Sequence, residues 1–498
     1  MRLYSLLASA GLECPSGAYD IEVTEIVTDS RKITSGCMFI CIRGQHFDGH
    51  DCIDNASEAG ASVIVAELVR DGCVGGAAIV KVENTRRAAA LLYNAWYGRP
   101  TDKLKLIGVT GTNGKTTVSF MIQKLLSAAG YGCGVIGTLG AYGKGLERID
   151  SPDPTSLANM TTPDPGELFK YLGRIAEGGA EFAVMEVSSH ALAMGRTEGI
   201  FFHTAVFTNL TRDHLDLHGT MEEYFNTKKR LFSNCERAVI NIDDTYGRKI
   251  YENAPRGSFF SCSREGDGDF CAFGENIKDP DGAEFTLRYP GGEKKIKMMI
   301  PGGFAVINGL QAFAAAFGCI DDKAKASLLV GALSEFPGVC GRLERIENGV
   351  GLNIFVDYAH TPDALSGLLR TVRGFLEPAG RIILVFGCGG RRDTGKRREM
   401  GRIATSLADL TVITSDNSRD EDERVIFSQI LRGVDKEKPH ILIPSRKEAI
   451  GYAIRAARWG DAVILAGKGH ERYEIDKWGK HPFDERQIVT EAIKKTDR

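Results

Sequence analysis

The chain has 498 residues, and at roughly 100–200 residues per domain this predicts about three domains. A net charge of −3, with 26% charged and 43% hydrophobic residues, describes a globular protein lacking the overall basic field that nucleic acid or anionic lipid requires. No apolar run reaches the ~18 residues of a spanning helix, the N-terminal apolar run is too short for a secretory signal, and the 12 cysteines form no C-x-x-C pair, so a cytoplasmic protein without membrane or nucleic-acid partners is expected.

Two turn-rich seams, Tyr97-Gly98-Arg99-Pro100-Thr101-Asp102 and Glu335-Phe336-Pro337-Gly338, divide the chain into 1–100, 101–336 and 337–498. In the first segment, residues 37–42 and 61–66 read as buried strands around a polar loop, 43–50. In the second, the apolar strand 104–110 runs into a glycine-rich turn. A helix then follows over 116–129, with Val118, Met121, Ile122, Leu125 and Leu126 at helical spacing. Further buried strands are expected at 182–187, 204–208 and 238–242. The third segment has strand candidates at 354–357, 381–386, 410–414, 440–443 and 462–466, with helices between them. Continuous apolar strands separated by helices imply parallel sheets covered on both faces, with ligands at the carboxyl ends of the strands. The fold class is therefore α/β in three domains. A central P-loop-type parallel-sheet domain is joined to a C-terminal Rossmann-like domain and a smaller N-terminal α/β domain.

Glycine is over-represented, 58 residues or about 12% against a usual ~7%. One concentration of it is Gly111-Thr112-Asn113-Gly114-Lys115-Thr116-Thr117, between a strand and a helix. Glycines let the backbone approach a polyphosphate, and the free N–H groups and helix dipole face the anion. Lys115 would neutralise β/γ-phosphate charge and Thr116 would ligate Mg²⁺, so ATP is the expected ligand. The strict G-x-x-x-x-G-K-[ST] spacing fails because position 109 is Val, which makes this a variant phosphate loop. Glu186 ends the strand Phe182-Ala183-Val184-Met185-Glu186, where a carboxylate can reach the same Mg²⁺. Asp213-His214-Leu215-Asp216-Leu217-His218 follows another apolar strand and offers metal or acid–base groups; a solvated polar loop fits the same pattern. Nothing in composition singles out Lys228 in Tyr224-Phe225-Asn226-Thr227-Lys228.

Together these motifs resemble the Mur ligase family, whose members join an amino acid to a UDP-N-acetylmuramoyl precursor of bacterial peptidoglycan. The resemblance runs through Gly111 to Thr117, Glu186 to His190, Asp213 to Asp216, Gly303 to Asn308, Gly341 to Glu344 and Asp357 to Asp363, in that order and over nearly the whole chain. It implies that Gly111, Thr112, Asn113, Gly114, Lys115, Thr116, Thr117, Asn308, Arg342 and Asp357 bind ATP. It implies that Lys228 is carbamylated by CO₂ and joins Thr116, Glu186 and His214 around Mg²⁺, with Lys115, Lys228 and His214 catalytic. Asp29-Ser30-Arg31 and Gly44 to Gly49 resemble a uridine-binding segment. By the same likeness Ser30, Thr161, Thr162, Ser188 and Arg196 would hold UDP-MurNAc-L-Ala-D-Glu.

The added amino acid is expected to be meso-diaminopimelate. The branch that uses it has D-N-P-R where this chain has Asp416-Asn417-Ser418-Arg419; lysine-adding relatives lack the Arg. The far carboxylate of diaminopimelate is gripped bidentately by a guanidinium that repels the ammonium of lysine. Arg392, Asp416, Asn417, Ser418, Arg419, Gly467 and Glu471 make up the resembling amino-acid site. The proposed chemistry phosphorylates the dipeptide's D-glutamate carboxylate and lets an amine attack the acyl phosphate, with His214 and His360 as candidate bases. An L-lysine-adding ligase, a folylpolyglutamate synthetase-like enzyme, a P-loop motor and a non-catalytic P-loop regulator are the alternatives. The expected state is a monomer whose partners are its small-molecule substrates.

Overall fold

The computed structural model of the chain describes residues 1–44, 47–68, 76–150, 160–253 and 257–496. Part of the uridine-like segment, residues 45 and 46, lies outside the described residues. The N-terminal sheet contains β1 (Ile26–Val27), β2 (Met38–Ile40), β3 (Val63–Ala66) and β4 (Ala78–Lys81), all parallel in that order. The helix Thr85–Trp96 starts where the Asn84 side chain accepts from Arg87 N at 2.9 Å, and it buries Ala88, Ala89 and Leu92. At the first seam Arg99 is left-handed (φ +53°), and Pro100 opens a one-turn helix, a position where its missing N–H costs nothing.

The central sheet contains β5 (Lys105–Thr110), β6 (Cys133–Gly137), β7 (Gly140–Tyr142), β8 (Phe182–Glu186), β9 (Phe202–Phe207), β10 (Cys235–Asn241), β11 (Phe259–Ser263), β12 (Phe270–Asp279), β13 (Gly282–Tyr289) and β14 (Gly292–Met298). Its order is β14-β13-β12-β11-β10-β9-β5-β8-β6-β7. From β12 to β6 every neighbour pairs in parallel, as the apolar runs imply. The edges differ from that expectation: β7 and the meander β12–β14 are antiparallel. Residues 270–298 carry the alternating burial of a one-faced sheet and the turn residues Asp281-Gly282 and Gly291-Gly292, a period-2 pattern that continuous apolar runs do not reveal. Because β5 lies between β8 and β9, the phosphate loop, Glu186 and Thr208-Asn209 emerge side by side at one sheet edge.

The C-terminal sheet contains β15 (Glu344–Ile346), β16 (Asn353–Asp357), β17 (Ile382–Phe386), β18 (Leu410–Ile413), β19 (His440–Leu442) and β20 (Ala462–Ala466), in the order β15-β16-β20-β17-β18-β19. Only β15 is antiparallel within it. A separate hairpin, β21 (Tyr473–Asp476) and β22 (Gly479–Pro482), follows β20. The order brings Asp357, Gly467, Gly389 and Asp416, each just past or at a strand's carboxyl end, to one rim. Two apolar layers sandwich this sheet, one through Leu365, Leu369 and Ala404, the other through Ile450, Ile454 and Val489.

Candidate active site

The phosphate loop is held from β9's end. Asn209 O accepts from Thr112 N at 2.9 Å, Asn209 Oδ1 accepts from Asn113 N at 2.9 Å, and Thr208 Oγ1 donates to Asn113 O at 2.6 Å. Gly111 (φ +147°) has no room for a side chain, since a Cβ there would stand 1.9 Å from Thr208 Oγ1. Asn308, on the helix Gly303–Cys319, has its Oδ1 2.7 Å from where a Gly114 Cβ would sit, so its amide packs against the loop. Thr116 and Thr117 are buried in the first turn of the helix Lys115–Ala128, below the loop's N–H groups. Lys115 Nζ donates to Gly111 O and Thr112 O, both at 2.9 Å.

Around Lys115 stand the other charged groups. Glu186 is 1% exposed, and Thr138 donates to its two oxygens, from N at 2.9 Å and from Oγ1 at 3.1 Å. Lys228 is also 1% exposed; its Nζ donates to Gly111 O at 2.9 Å and lies 4.8 Å from the Tyr224 ring centroid. Burial and the neighbouring Lys115 push its pKa well below the lysine range, against the pull of Asp213. Burial likewise lowers Lys115, with Glu186 opposing. His214 is left-handed (φ +53°), with Nε2 3.3 Å from Asp213 Oδ2; desolvation lowers its pKa, Asp213 opposes, and Lys228 and Lys115 lower it further. Among the described residues no three His, Cys, Asp or Glu side chains are grouped closely enough to hold a metal by themselves. The donor set of Thr116 hydroxyl and Glu186 carboxylate is hard oxygen, which suits Mg²⁺ once substrate phosphates supply the remaining ligands.

Across from β8's end, Thr162 Oγ1 donates to Glu186 O at 2.8 Å and accepts from Ser188 N at 3.0 Å. Arg196 donates to Thr162 O at 2.9 Å and pairs with Asp164 at 2.8 Å, while Thr161 Oγ1 accepts from Thr138 at 3.2 Å. Thr161, Thr162, Ser188 and Arg196 therefore form one cluster. Ser30 stands apart, on the turn Ser30–Lys32 that Asp29 caps, with no hydrogen bond to that cluster among the described residues.

The C-terminal segment reaches over the loop. Arg342 Nη2 donates to Thr116 Oγ1 at 3.1 Å, its guanidinium lies 4.6 Å from the Tyr358 ring, and Asn113 Nδ2 donates to Asp363 at 3.1 Å. Asp357 accepts from Leu343 N at 2.6 Å and Ala359 N at 2.7 Å; burial raises its pKa and Arg342 opposes. His360 Nδ1 faces Tyr358 O at 2.9 Å, and burial lowers its pKa to about 4. On the same rim, Arg419 (φ +54°) donates through Nη1 to Gly390 O at 2.9 Å and Asn417 O at 3.1 Å. Arg419 Nη1 and Arg392 Cγ flank Gly389, 3.3 and 3.9 Å from its would-be Cβ. Opposite them, Glu471 Oε2 accepts from Asn417 Nδ2 at 2.7 Å. Gly467 (φ +113°) leaves space that Asp416 Oδ2 fills, 2.7 Å from a Cβ position. Ser418 is buried, and its carbonyl comes within 2.0 Å of a Gly390 Cβ position.

Three family models match the chain in the order of these structures: the Mur ligase catalytic domain over residues 22–103, the middle domain over 109–316 and the glutamate ligase domain over 341–469. The UDP-N-acetylmuramoyl-L-alanyl-D-glutamate--2,6-diaminopimelate ligase of Clostridium tetani is 40% identical, with 99% of each chain covered. The ligase of the same name from Clostridioides difficile is 39% identical over 99% of this chain and 100% of that one. The chain belongs to the Mur ligase family. A solved structure titled for the same diaminopimelate ligase matches at 32% identity and TM-score 0.68 over all of both chains. A Mur ligase of another type, MurF from Acinetobacter baumannii, shares the fold at 19% identity and TM-score 0.64 over 98% of each chain.

The Mur ligase resemblance drawn from the motifs is thus confirmed as family and as a three-domain α/β fold. Sequence reading did not single out several residues that hold the site. Thr138, which positions Glu186, follows a short strand in a run with no motif. Arg397 is fully buried and binds Glu421 and Gly389 O; its signal is hidden in the basic run Lys396-Arg397-Arg398, which reads as a solvated helix face. Lys468, within Ala466-Gly467-Lys468-Gly469, is fully buried beneath the rim; a lysine directly after a continuous apolar strand was its available signal.

Proposed function

We infer that the chain joins meso-diaminopimelate to UDP-MurNAc-L-Ala-D-Glu with ATP and Mg²⁺, a step of peptidoglycan precursor synthesis. Relatives about 40% identical over nearly their whole length carry that activity in their names. The structural observation that supports the choice of amino acid is the Arg392–Arg419 pair over Gly389, with Glu471 nearby. Arginine side chains match a carboxylate, and a half-buried carboxylate matches an ammonium, the two ends of a diamino diacid.

The roles cross the domains 1–100, 101–336 and 337–498. Ser30, Thr161, Thr162, Ser188 and Arg196 hold the UDP-linked dipeptide. Gly111 to Thr117, Asn308, Arg342 and Asp357 hold ATP. Arg392, Asp416, Asn417, Ser418, Arg419, Gly467 and Glu471 hold the amino acid. The D-glutamate γ-carboxylate oxygen attacks the γ-phosphorus and ADP leaves. The amine then attacks the acyl phosphate, and the tetrahedral adduct collapses to amide and phosphate. Lys115 and Arg342 place positive charge where the moving phosphoryl group carries negative charge, and fixed charge in a site closed to water is the largest source of acceleration. When bound, Mg²⁺ neutralises phosphate charge, and Thr116, Glu186, His214 and a carbamylated Lys228 would hold it. The low pKa direction of Lys228 supports that modification, because the neutral amine is what adds CO₂, releasing one proton. His360, shifted down to about 4, is neutral at pH 7, so its imidazole is available as an acceptor for the amine's proton; His214 is available only where it does not hold the metal.

No helix among the described residues is long and apolar enough to cross a membrane. A cytoplasmic monomer belongs to the same reading, and it should sediment as one species near 54.2 kDa. The deciding experiment offers ATP, Mg²⁺ and UDP-MurNAc-L-Ala-D-Glu with either meso-diaminopimelate or L-lysine. Phosphate release with diaminopimelate, slower with lysine by about tenfold or more, is expected. No release with either removes the activity; equal rates remove the arginine argument.

A further inference from the structure

Beneath the amino-acid rim lies a buried lysine that contacts two residues of that rim. Lys468 is fully buried, and its Nζ donates to Asn417 Oδ1 at 3.0 Å and to Tyr473 O at 2.9 Å, with Asp416 Oδ1 3.8 Å away. Asn417 Oδ1 also accepts from Ile475 N at 3.0 Å. An amide oxygen with two donors on it cannot be exchanged for the amide nitrogen without setting N–H against N–H. The side chain is therefore locked in one orientation, which aims Nδ2 at Glu471 Oε2, 2.7 Å away. One Glu471 oxygen is thereby held.

We propose that Lys468 is a positioning residue for amino-acid selection, acting through Asn417 to orient Glu471 towards the substrate's ammonium. This rests on the diaminopimelate-ligase reading. Electrostatics support the geometry. Burial and Asp416 raise the Glu471 pKa, while Lys468, Asn417 and Arg419 lower it. Without the lysine, the neighbouring Asp416 and Glu471 carboxylates lose a shared counter-charge, and a protonated Glu471 holds an ammonium poorly.

The test compares wild type, Lys468→Met and Lys468→Gln; methionine keeps apolar bulk without charge, and glutamine restores one donor. Lys468→Met should raise the diaminopimelate KM about tenfold, the scale of one hydrogen bond to a charged group, with ATP and UDP-dipeptide KM values within a factor of about two. As pH is lowered, its diaminopimelate KM should also begin to rise at a higher pH than that of the wild type, because Lys468 lowers the Glu471 pKa, and Lys468→Gln should recover part of the loss. In a Glu471→Gln background, Lys468→Met should add little, because both changes break the same contact. A wild type inactive with diaminopimelate overturns the parent reading. With an active wild type, an unchanged diaminopimelate KM in Lys468→Met, or full additivity with Glu471→Gln, overturns this one. If Lys468→Met does not fold, Lys468→Gln carries the same KM, pH and additivity comparisons.

Discussion

Arg419 adopts a left-handed backbone that costs a non-glycine residue of order 1–3 kcal/mol, and the surroundings hold it there. Its N–H donates to Ile475 O at 3.0 Å and its guanidinium to two carbonyls, so the side chain is fixed before substrate arrives. A pre-set guanidinium loses little entropy on binding a carboxylate. Arg419→Ala is therefore expected to raise the diaminopimelate KM by about ten- to hundredfold, equivalent to ~1.5–3 kcal/mol, and to leave the ATP KM unchanged. Steady-state kinetics with each substrate varied in turn reads this directly, and a loss shared equally among all three substrates would show that Arg419 holds structure instead. Ser418 stands where the resembling D-N-P-R motif has Pro. The loop's shape is imposed by the Ser418 carbonyl packing on Gly390 and by the Arg419–Ile475 hydrogen bond. The proline's fixed φ is thus replaced by tertiary contacts.

At the scale of elements, the site is built from strand ends, and this explains how much of it the sequence revealed. β5, β8 and β9 are largely apolar, mostly buried runs, so their carboxyl ends could be located from residue type, and the motif residues there stand together. The antiparallel meander β12–β14 and the hairpin β21–β22 were illegible, because their strands alternate or carry charge, and pairing decides them. The buried partners Thr138, Arg397 and Lys468 were hidden for a related reason: burial of a polar side chain depends on tertiary neighbours and not on local pattern. Gly111 provides an element-level test. Gly111→Ala puts a methyl group 1.9 Å from Thr208 Oγ1 and forces β5's loop away from β9. Calorimetric ATP binding should fall at least tenfold, about 1.4 kcal/mol, while the UDP-dipeptide still binds; intact ATP affinity would mean that the loop relaxes freely. Arg397 supplies a second. It binds both oxygens of Glu421, at 2.6 and 2.9 Å, and Gly389 O, which ties the helix Gly395–Leu407 to the Arg392–Arg419 rim. That contact depresses the Glu421 pKa to about 2. A depressed carboxylate stabilises the fold above its unfolded value of ~4.3, and the contribution is lost as pH falls from there towards the folded value. In acid titrations followed by near-UV dichroism, Glu421→Gln should remove part of the stability slope between about pH 4.3 and 2; curves of identical slope would show that the clamp contributes nothing.

At the scale of the molecule, three substrates must meet although their binding groups sit on different sheets, and contacts between the central and C-terminal segments are what bring them together. Arg342 reaches Thr116, Asn113 reaches Asp363, and Arg345 pairs with Asp281 at the meander's turn, 2.9 Å away. Thr371, on the helix Pro362–Phe375, fills the space left by Gly302 before the Asn308 helix. The chain is therefore in a closed arrangement, with the phosphate loop roofed by C-terminal residues. The second seam, Pro337-Gly338 with Gly338 at φ +95°, is where the connection has conformational freedom, and we place the hinge there. Exposed polar pairs such as Arg345–Asp281 and Asn113–Asp363 are worth ~0–1 kcal/mol each. Removing both with Arg345→Ala and Asp363→Ala should shift the closed-to-open ratio by up to about thirtyfold, and the second change also releases the Asn113 side chain of the phosphate loop. The ATP KM and kcat should then suffer together, because Arg342 completes the nucleotide site only when the segments meet. Diaminopimelate, whose contacts lie within the C-terminal segment, and UDP-dipeptide, whose contacts lie within the first two segments, should bind as before when titrated separately. Small-angle scattering of the double variant should show a larger radius of gyration than the wild type, shrinking when an ATP analogue is added. Unchanged scattering together with an unchanged ATP KM would mean that the packing around Gly302 and Thr371 holds the closed form alone.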